Sequence, residues 1–349
     1  MAGTNISTLG EFGLIRHLTE NLPIHQSSTV FGVGDDAAIL DYGKKDKRQL
    51  LTTDLLLEGI HFDLTYVPLK HLGYKAAMVN FSDIYAMNGY PKQLTVSIGV
   101  SKRFSIEMLE ELYAGIRLAC EQHKVDLVGG DTSSSLTGLC ISITCMGEAD
   151  KDKVCTRYGA KKNDIVCVSG NLGAAYMGLQ LLEREKTVFA QSPDVQPDFA
   201  GKEYILQRQL QPHARRDIIE ALDKAGIVPT AMMDVSDGLS SEMLHICEKS
   251  KVGCRIYEDK IPIDYETARM AEEFNMNLVT AALNGGEDYE LLFTIPMALH
   301  DKIGEIEGVH EIGYITDAED GALLVSRDGN QFELKAQGWN PLANQKENQ

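Results

Sequence analysis

Seven aspartates beside small residues carry the chemistry this chain offers. Asp35, Asp36, Asp54, Asp83, Asp131, Asp234 and Asp237 are flanked mostly by Gly, Ser or Thr. Gly32-Val33-Gly34-Asp35-Asp36-Ala37-Ala38 puts two carboxylates directly after glycines that let the backbone turn tightly or approach a ligand. Adjacent carboxylates repel, so each needs a proton, a donor or a cation. Taken alone, this stretch favours a solvated surface turn. The recurrence of the pattern far along the chain, in Met232-Met233-Asp234-Val235-Ser236-Asp237-Gly238 and Asn284-Gly285-Gly286-Glu287-Asp288-Tyr289-Glu290, favours a site.

Oxygen ligands without His or Cys suit Mg²⁺ or Ca²⁺ rather than zinc. The EF-hand loop pattern is absent, which argues against a Ca²⁺ sensor. Mg²⁺ is usually held by a few carboxylates together with substrate phosphates, which points to a nucleotide. The sequence has neither a G-x-x-x-x-G-K-[S/T] loop nor a protein-kinase glycine loop. An acidic protein can bind ATP without them when metals neutralise the phosphates and glycine N–H groups add hydrogen bonds. Paired carboxylates also serve glycoside hydrolysis, but that chemistry favours sugar-stacking aromatics. Here aromatics are 7% of the residues and Trp339 is the single tryptophan.

Positioning these acids requires an α/β succession of elements. A capping box at Thr8 and Glu11 opens a helix with Phe12, Ile15 and Leu18 on one side. Gln49 to Leu55 reads as a strand ending in Thr52, Thr53 and Asp54, with His61 shortly after it. From His71 to Asn88 the pattern is helical, and Ala76, Asn80, Asp83 and Met87 share one face. That spacing suggests a partly buried carboxylate, or else a mis-phased exposed stripe. Leu94 to Val100 alternates as a strand, Ser105 caps a helix, and Val125 to Val128 runs into a Gly129-Gly130-Asp131-Thr132 loop. The strand Leu139 to Met146 closes a first unit, with Cys140 and Cys145 on opposite faces.

A polar linker, residues 151–164, contains Arg157, which is a solvated residue or a cation able to reach a phosphate. A second α/β pattern follows, with a strand at Ile165, a helix from Ala174 to Leu182 and an exposed insertion at 187–201. A helix through Ile218 and Leu222 leads to the Asp234 turn, and the strand Leu291 to Ile295 follows the Glu287 turn.

At 349 residues the chain is longer than one core usually holds, so two domains are expected, 1–150 and 151–343, with a disordered polar tail at 344–349. Lys plus Arg number 33 and Asp plus Glu 51, a formal net charge of −18, which repels nucleic acid and anionic membranes. The first residues lack the basic and apolar regions of a signal peptide, and no apolar run reaches the length of a membrane span. Seven cysteines without a C-x-x-C pair fit reduced, buried thiols in a cytoplasm.

Seven motifs in order resemble the thiamine-monophosphate kinase family. They are Gly10-Glu11-Phe12-Gly13-Leu14-Ile15, Gly32 to Ala38, Thr52-Thr53-Asp54, Val79-Asn80-Phe81-Ser82-Asp83, Gly129 to Thr132, Asp234 to Leu239, and Gly285 to Leu291. Together with Trp339 they span nearly the whole chain. The wider group includes aminoimidazole ribonucleotide synthetase and selenophosphate synthetase. The Gly285 motif and Trp339 favour the kinase branch, and no reactive Cys lies near the N-terminus.

The resemblance implies an α/β (α+β) protein of two domains. An N-terminal mixed sheet with helices would bind ATP and Mg²⁺ and form a homodimer, and a C-terminal α/β domain would complete the site. It implies transfer of the ATP γ-phosphoryl group to thiamine monophosphate. Asp36, Thr52, Thr53, Asp54, Asp83, Asp131, Asp234 and Asp237 would hold several Mg²⁺ ions, while Asp35 shapes its loop. Tyr113, Gly130, Asp131, Arg157 and Ser236 would touch ATP, and His61, Glu287 and Trp339 thiamine phosphate. His61 and Trp339 also suit plain packing roles. Departures from the family pattern are the insertion at 187–201 and Asn171, where an acid is expected. Such a transfer needs cations between two phosphates more than a general base, and the attacking oxygen is already ionised at neutral pH. No residue is assigned as nucleophile. The open alternatives are an ATP-dependent synthetase of the wider group and a non-catalytic nucleotide or metal sensor.

Overall fold

The computed structural model describes residues 9–337, apart from 193 and 195. Thr8, Trp339 and the expected tail at 344–349 therefore lie outside the described residues. In the first half the order is α1 (Gly10–Thr19), β1 (Thr29–Phe31), β2 (Ala38–Leu40), β3 (Lys47–Leu57), α2 (Leu69–Ala86), β4 (Tyr90–Val100), α3 (Ile106–His123), β5 (Asp126–Ser134) and β6 (Cys140–Asp150). The second half continues with β7 (Ile165–Ser169), α4 (Ala174–Gln191), α5 (Glu203–Leu210), α6 (Arg216–Ala225), β8 (Ala231–Asp234), α7 (Leu239–Ser250), β9 (Gly253–Tyr257), α8 (Tyr265–Glu273), α9 (Leu278–Asn284), β10 (Leu291–Ile295), α10 (His300–Ile303), β11 (Val309–Thr316), β12 (Ala322–Val325) and β13 (Gln331–Glu333). Among the described residues no helix is long and apolar enough to cross a membrane.

Each half builds one mixed sheet. The first runs β1-β2-β3-β6-β4-β5, antiparallel except for the parallel pair β4/β5. The second runs β13-β12-β9-β11-β7-β10-β8, antiparallel except for β9/β12. β7, β8 and β10 are buried at every position, so they read as continuous apolar runs rather than as alternating strands. On one side, Ile165, Cys167, Met232, Leu291 and Phe293 join the core of the first half; on the other, Val166, Val168, Met233 and Leu292 pack with α7 and α9. One apolar core therefore runs through both halves.

At the centre of that core lies α2. From Leu72 to Ala86 every residue except Asp83 is buried, as expected of a helix that packs on all sides. The one-face reading of Ala76, Asn80, Asp83 and Met87 is thus too narrow, because β3, β6, α3, α5 and β8 all surround the helix. Its contact with α3 is backbone to backbone. A Cβ at Gly73 would lie 1.9 Å from the Leu112 carbonyl oxygen, and one at Gly115 1.9 Å from that of Lys70.

Three expected boundaries shift. Thr52, Thr53 and Asp54 lie inside β3 rather than at its end, because β3 pairs with β6 over its whole length. The Gly129-Gly130-Asp131-Thr132 segment is strand, paired with β4, not a loop. A Cβ at Gly130 would lie 1.8 Å from the Val96 carbonyl oxygen, so the close approach of the strands demands this glycine. Residues Thr187 to Gln191 of the expected insertion continue α4. Ser105 caps α3 by accepting from the Met108 N–H, as its position predicts.

Replacing Gly115 with Ala should lower stability by about 2 kcal/mol, since overpacking outweighs the roughly 0.5–1 kcal/mol that Ala gains in a helix. A thermal melt checks this: an unchanged midpoint would mean that α2 and α3 can separate freely.

Candidate functional site

Three carboxylates from three distant segments meet at the junction of the halves. Oxygen atoms of Asp36, Asp83 and Asp234 all lie within 4.8 Å of one another. Asp36 follows the turn whose Gly34 takes φ +130°, a conformation that suits only glycine. Asp83 projects from α2, and Asp234 ends β8. Thr52 donates to Asp83 at 2.5 Å, and Ser82 donates to Asp234 at 2.5 Å across the junction. Asp54 is close enough to Asp83 and Asp234 to raise the proton affinity of both.

Arg157 forms an ion pair with Asp36 and lies 3.7 Å from Asp35. Asp35 also accepts from the backbone N–H groups of Arg157 at 3.1 Å and Asp36 at 3.0 Å, so it ties the turn to the segment joining the halves. Asp237 sits in the next turn. There Glu242 accepts from the N–H of Asp237 at 2.7 Å and that of Ser236 at 3.2 Å.

Burial dominates the electrostatics. It pushes Asp234 up to about 7, with help from the charge of Asp36, and Asp54 up to about 6. Asp35 rises to about 7 through burial and the neighbouring Asp36, although Arg157 opposes the shift. Asp237 rises to about 6 through burial and the charge of Glu11. Asp83 is pushed well above the usual carboxylate range by burial and then by Asp54, Asp234 and Asp36. Oδ2 of Asp36 and Oδ2 of Asp54 are buried without a hydrogen-bond partner. Hard, anionic oxygens that lack donors fit a divalent cation of the Mg²⁺ type.

A second corner adjoins this cage. The Gly285–Glu290 loop runs alongside the Asp234–Asp237 turn, with the Glu287 N–H donating to the Ser236 carbonyl at 2.7 Å and that of Tyr289 to Val235 at 2.9 Å. Glu287 and Tyr289 take left-handed φ values of +66° and +52°. Beneath them Asp288 caps α4 by accepting from Gly173 N–H at 2.6 Å, while Arg208 and Arg215 pair with the buried Glu290. The Asn171 carbonyl accepts from Arg208 at 3.0 Å, a main-chain contact that does not depend on the side chain at this position. His61 accepts from Leu57 N–H through Nδ1 at 3.0 Å; burial lowers its proton affinity and the Glu287 charge partly restores it.

Not every predicted residue joins the cage within one chain. Thr53 points to the opposite face of the first sheet from Thr52 and Asp54, and its hydroxyl donates to the Ile143 carbonyl at 3.1 Å. Asp131 lies on the exposed edge strand β5, three strands from Asp54, or roughly 14 Å at about 4.8 Å per strand. There Tyr113, Gly130 and Asp131 line a groove of about 380 Å³. Trp339 lies outside the described residues. Conversely, the sequence reading passed over Ser82, Lys75, Gln209 and Glu242. Ser82 adjoins Asp83 within its motif and was findable; a lone Lys or Gln on a helix carries no such signal.

Two family models match the chain: AIR synthase related protein, N-terminal domain, over residues 34–149, and AIR synthase related protein, C-terminal domain, over 162–326. Thiamine-monophosphate kinase of Aquifex aeolicus (strain VF5) is 36% identical, covering 96% of this chain and 98% of its own length. The enzyme of that name from Bacillus subtilis (strain 168) is 33% identical, with coverage of 95% and 99%. Among solved structures, AaThiL complexed with AMPPCP and TMP superposes with a TM-score of 0.83 at 33% identity, over 97% of this chain and 99% of that one.

The raised carboxyl pKa values predict a pH-dependent stability. In the fold these groups titrate at about 6 to 7, above the roughly 4 of the unfolded chain. Their stabilising contribution is therefore full below about pH 4 and is lost as pH rises through 6 to 7. A cation that needs ionised ligands reverses the loss, so Mg²⁺ should raise the melting midpoint more at about pH 8 than at about pH 5.5. Equal shifts at both values would overturn this reading of the cage.

Proposed function

The chain belongs to the thiamine-monophosphate kinase family, and from that membership and the site we propose that it transfers the γ-phosphoryl group of ATP to the phosphate of thiamine monophosphate, giving thiamine diphosphate and ADP. The observation that carries this reading is the Asp36–Asp83–Asp234 cage, with partnerless buried oxygens on Asp36 and the adjoining Asp54, directly beside the Glu287 loop. A solved relative aligned along nearly the whole chain is described with AMPPCP and TMP.

An oxygen of the acceptor phosphate attacks the γ-phosphorus, and the bond from that phosphorus to the β–γ bridging oxygen breaks. The attacking oxygen is ionised at neutral pH, so no residue has to remove a proton from it. Asp36, Asp54, Asp83, Asp234 and Asp237, with the Thr52 hydroxyl, would hold the Mg²⁺ ions. When bound, those ions supply the positive charge that lets two phosphates approach. The polypeptide's own work is positioning. Thr52 orients Asp83, Ser82 orients Asp234, and Glu242 holds the Ser236–Asp237 turn. Arg157 stands beside Asp36, placed to meet a phosphate at the cage. Glu287 and His61 would face the thiamine phosphate at the neighbouring corner.

We further read the protein as a cytoplasmic homodimer with domains 1–150 and 151–343. Among the described residues no layer covers the outer face of the first sheet, and Leu55 and Met146 stand exposed on it at 52% and 38%. Thr53 and Asp131 belong to this face and to its edge. A second copy packed there gives them a route to the phosphates and explains why neither reaches the cage of its own chain.

Incubation with ATP, Mg²⁺ and thiamine monophosphate should yield thiamine diphosphate; ADP without that product would instead indicate another reaction of the wider group. Asp83→Asn should reduce kcat by about a hundredfold or more, because an oxygen that ionises for the cation is lost. Retained turnover would remove Asp83 from the metal set. Leu55→Asp should shift the protein from dimer to monomer in sedimentation; an unchanged mass would place the interface elsewhere.

A further inference from the structure

Lys75 is a buried cation that no part of the proposed reaction uses. It lies on α2 two turns before Asp83, about 12 Å along the axis at 1.5 Å per residue. It is 5% exposed, and lysines are almost never so buried unless paired. Its Nζ lies 2.7 Å from Oε1 of Glu287 and donates to the Gln209 carbonyl at 3.3 Å. Nε2 of Gln209 donates to the other carboxylate oxygen of Glu287 at 2.8 Å. Both oxygens of Glu287 are thus held, one by a cation from the first half and one by an amide from the second.

We propose that Lys75 is a positioning residue for the thiamine-phosphate end of the site, acting through Glu287. This deepens the reading of Glu287 as a substrate contact and rests on it. Two features make the clamp necessary. Glu287 sits at φ +66°, a backbone state that a non-glycine residue keeps only when its surroundings hold it. Its side chain is also 30% exposed, so without the clamp the carboxylate would be free to turn towards solvent. Lys75 fixes the direction in which the remaining lone pairs of Glu287 meet a ligand and offsets its charge. The paired carboxylate then acts as a directed hydrogen-bond acceptor more than as a free counter-charge to the thiazolium. Because α2 also carries Asp83, one rigid helix sets the spacing between the acid cage and the acceptor corner.

The test is a double-mutant cycle in the full-length enzyme, with KM measured for each substrate. Lys75→Met should raise KM for thiamine monophosphate tenfold or more while KM for ATP stays within twofold. Lys75→Arg, which keeps the charge, should recover part of that loss. Adding Glu287→Gln to Lys75→Met should cost no more than the worse single change, because both act on one group. Should Lys75→Met fail to fold, Lys75→Gln keeps a donor and takes its place with the same expectations. If Glu287→Gln raises KM for thiamine monophosphate and the Lys75 variants do not, or if the two losses multiply, the positioning role is wrong. If Glu287→Gln itself leaves that KM unchanged, the reading of Glu287 as a substrate contact fails first.

Discussion

Like-charge crowding is the constraint on which this molecule depends. At about 4 Å, two carboxylates in surroundings of effective dielectric near 20 repel by about 4 kcal/mol, and three such pairs rival the net stability of a whole domain. Asp36, Asp83 and Asp234 are held with oxygens within 4.8 Å of one another, and burial keeps water from easing the repulsion when they ionise. The surroundings can be understood as answers to this cost. Thr52 and Ser82 donate hydrogen bonds, Arg157 brings a positive charge, and the raised proton affinities let the cluster hold protons until cations take their place.

The same constraint explains the rigidity of what holds the cage. Repelling groups move apart unless their supports are stiff. Asp83 rides on a helix packed on every side, Asp234 ends a strand buried on both faces, and Asp36 follows a turn pinned by Asp35 and Arg157. Serine and threonine flank these acids because short hydroxyl side chains can donate to a neighbouring carboxylate at little entropic cost. The Glu287 corner follows the same logic with different means: two left-handed residues donate to the Ser236 and Val235 carbonyls, and the neighbouring Glu290 is pinned by Arg208 and Arg215.

Much of this was legible in the amino-acid order. Alternation and helical spacing located the main elements, and the acids announced themselves through the glycines and hydroxyls around them. Boundaries failed where a long-range partner overruled local signals. Gly129-Gly130 looks like a loop, yet Gly130 is there because Val96 comes too close for any side chain. Thr53 and Asp54 are neighbours in sequence, but strand alternation sends them to opposite faces. Arg157 is ambiguous in a polar linker, and only the fold brings it to Asp35 and Asp36. Lys75 was invisible because a lone lysine on a helix usually marks a wet surface. Nothing local reveals that Gln209 on α5 and the Glu287 loop close over it.

The apolar core that passes unbroken from the first sheet into β7, β8 and β10 has a dynamic consequence. Enzymes that fold two lobes around a nucleotide need a thin, wet seam about which to bend, whereas a large hydrophobic seam resists relative motion. Here the seam is itself core, crossed by a central helix that touches both sides. Relative motion of the halves is therefore resisted, and the acid cage at their junction is set in advance rather than assembled by drawing two bodies together. Recognition then costs little conformational entropy.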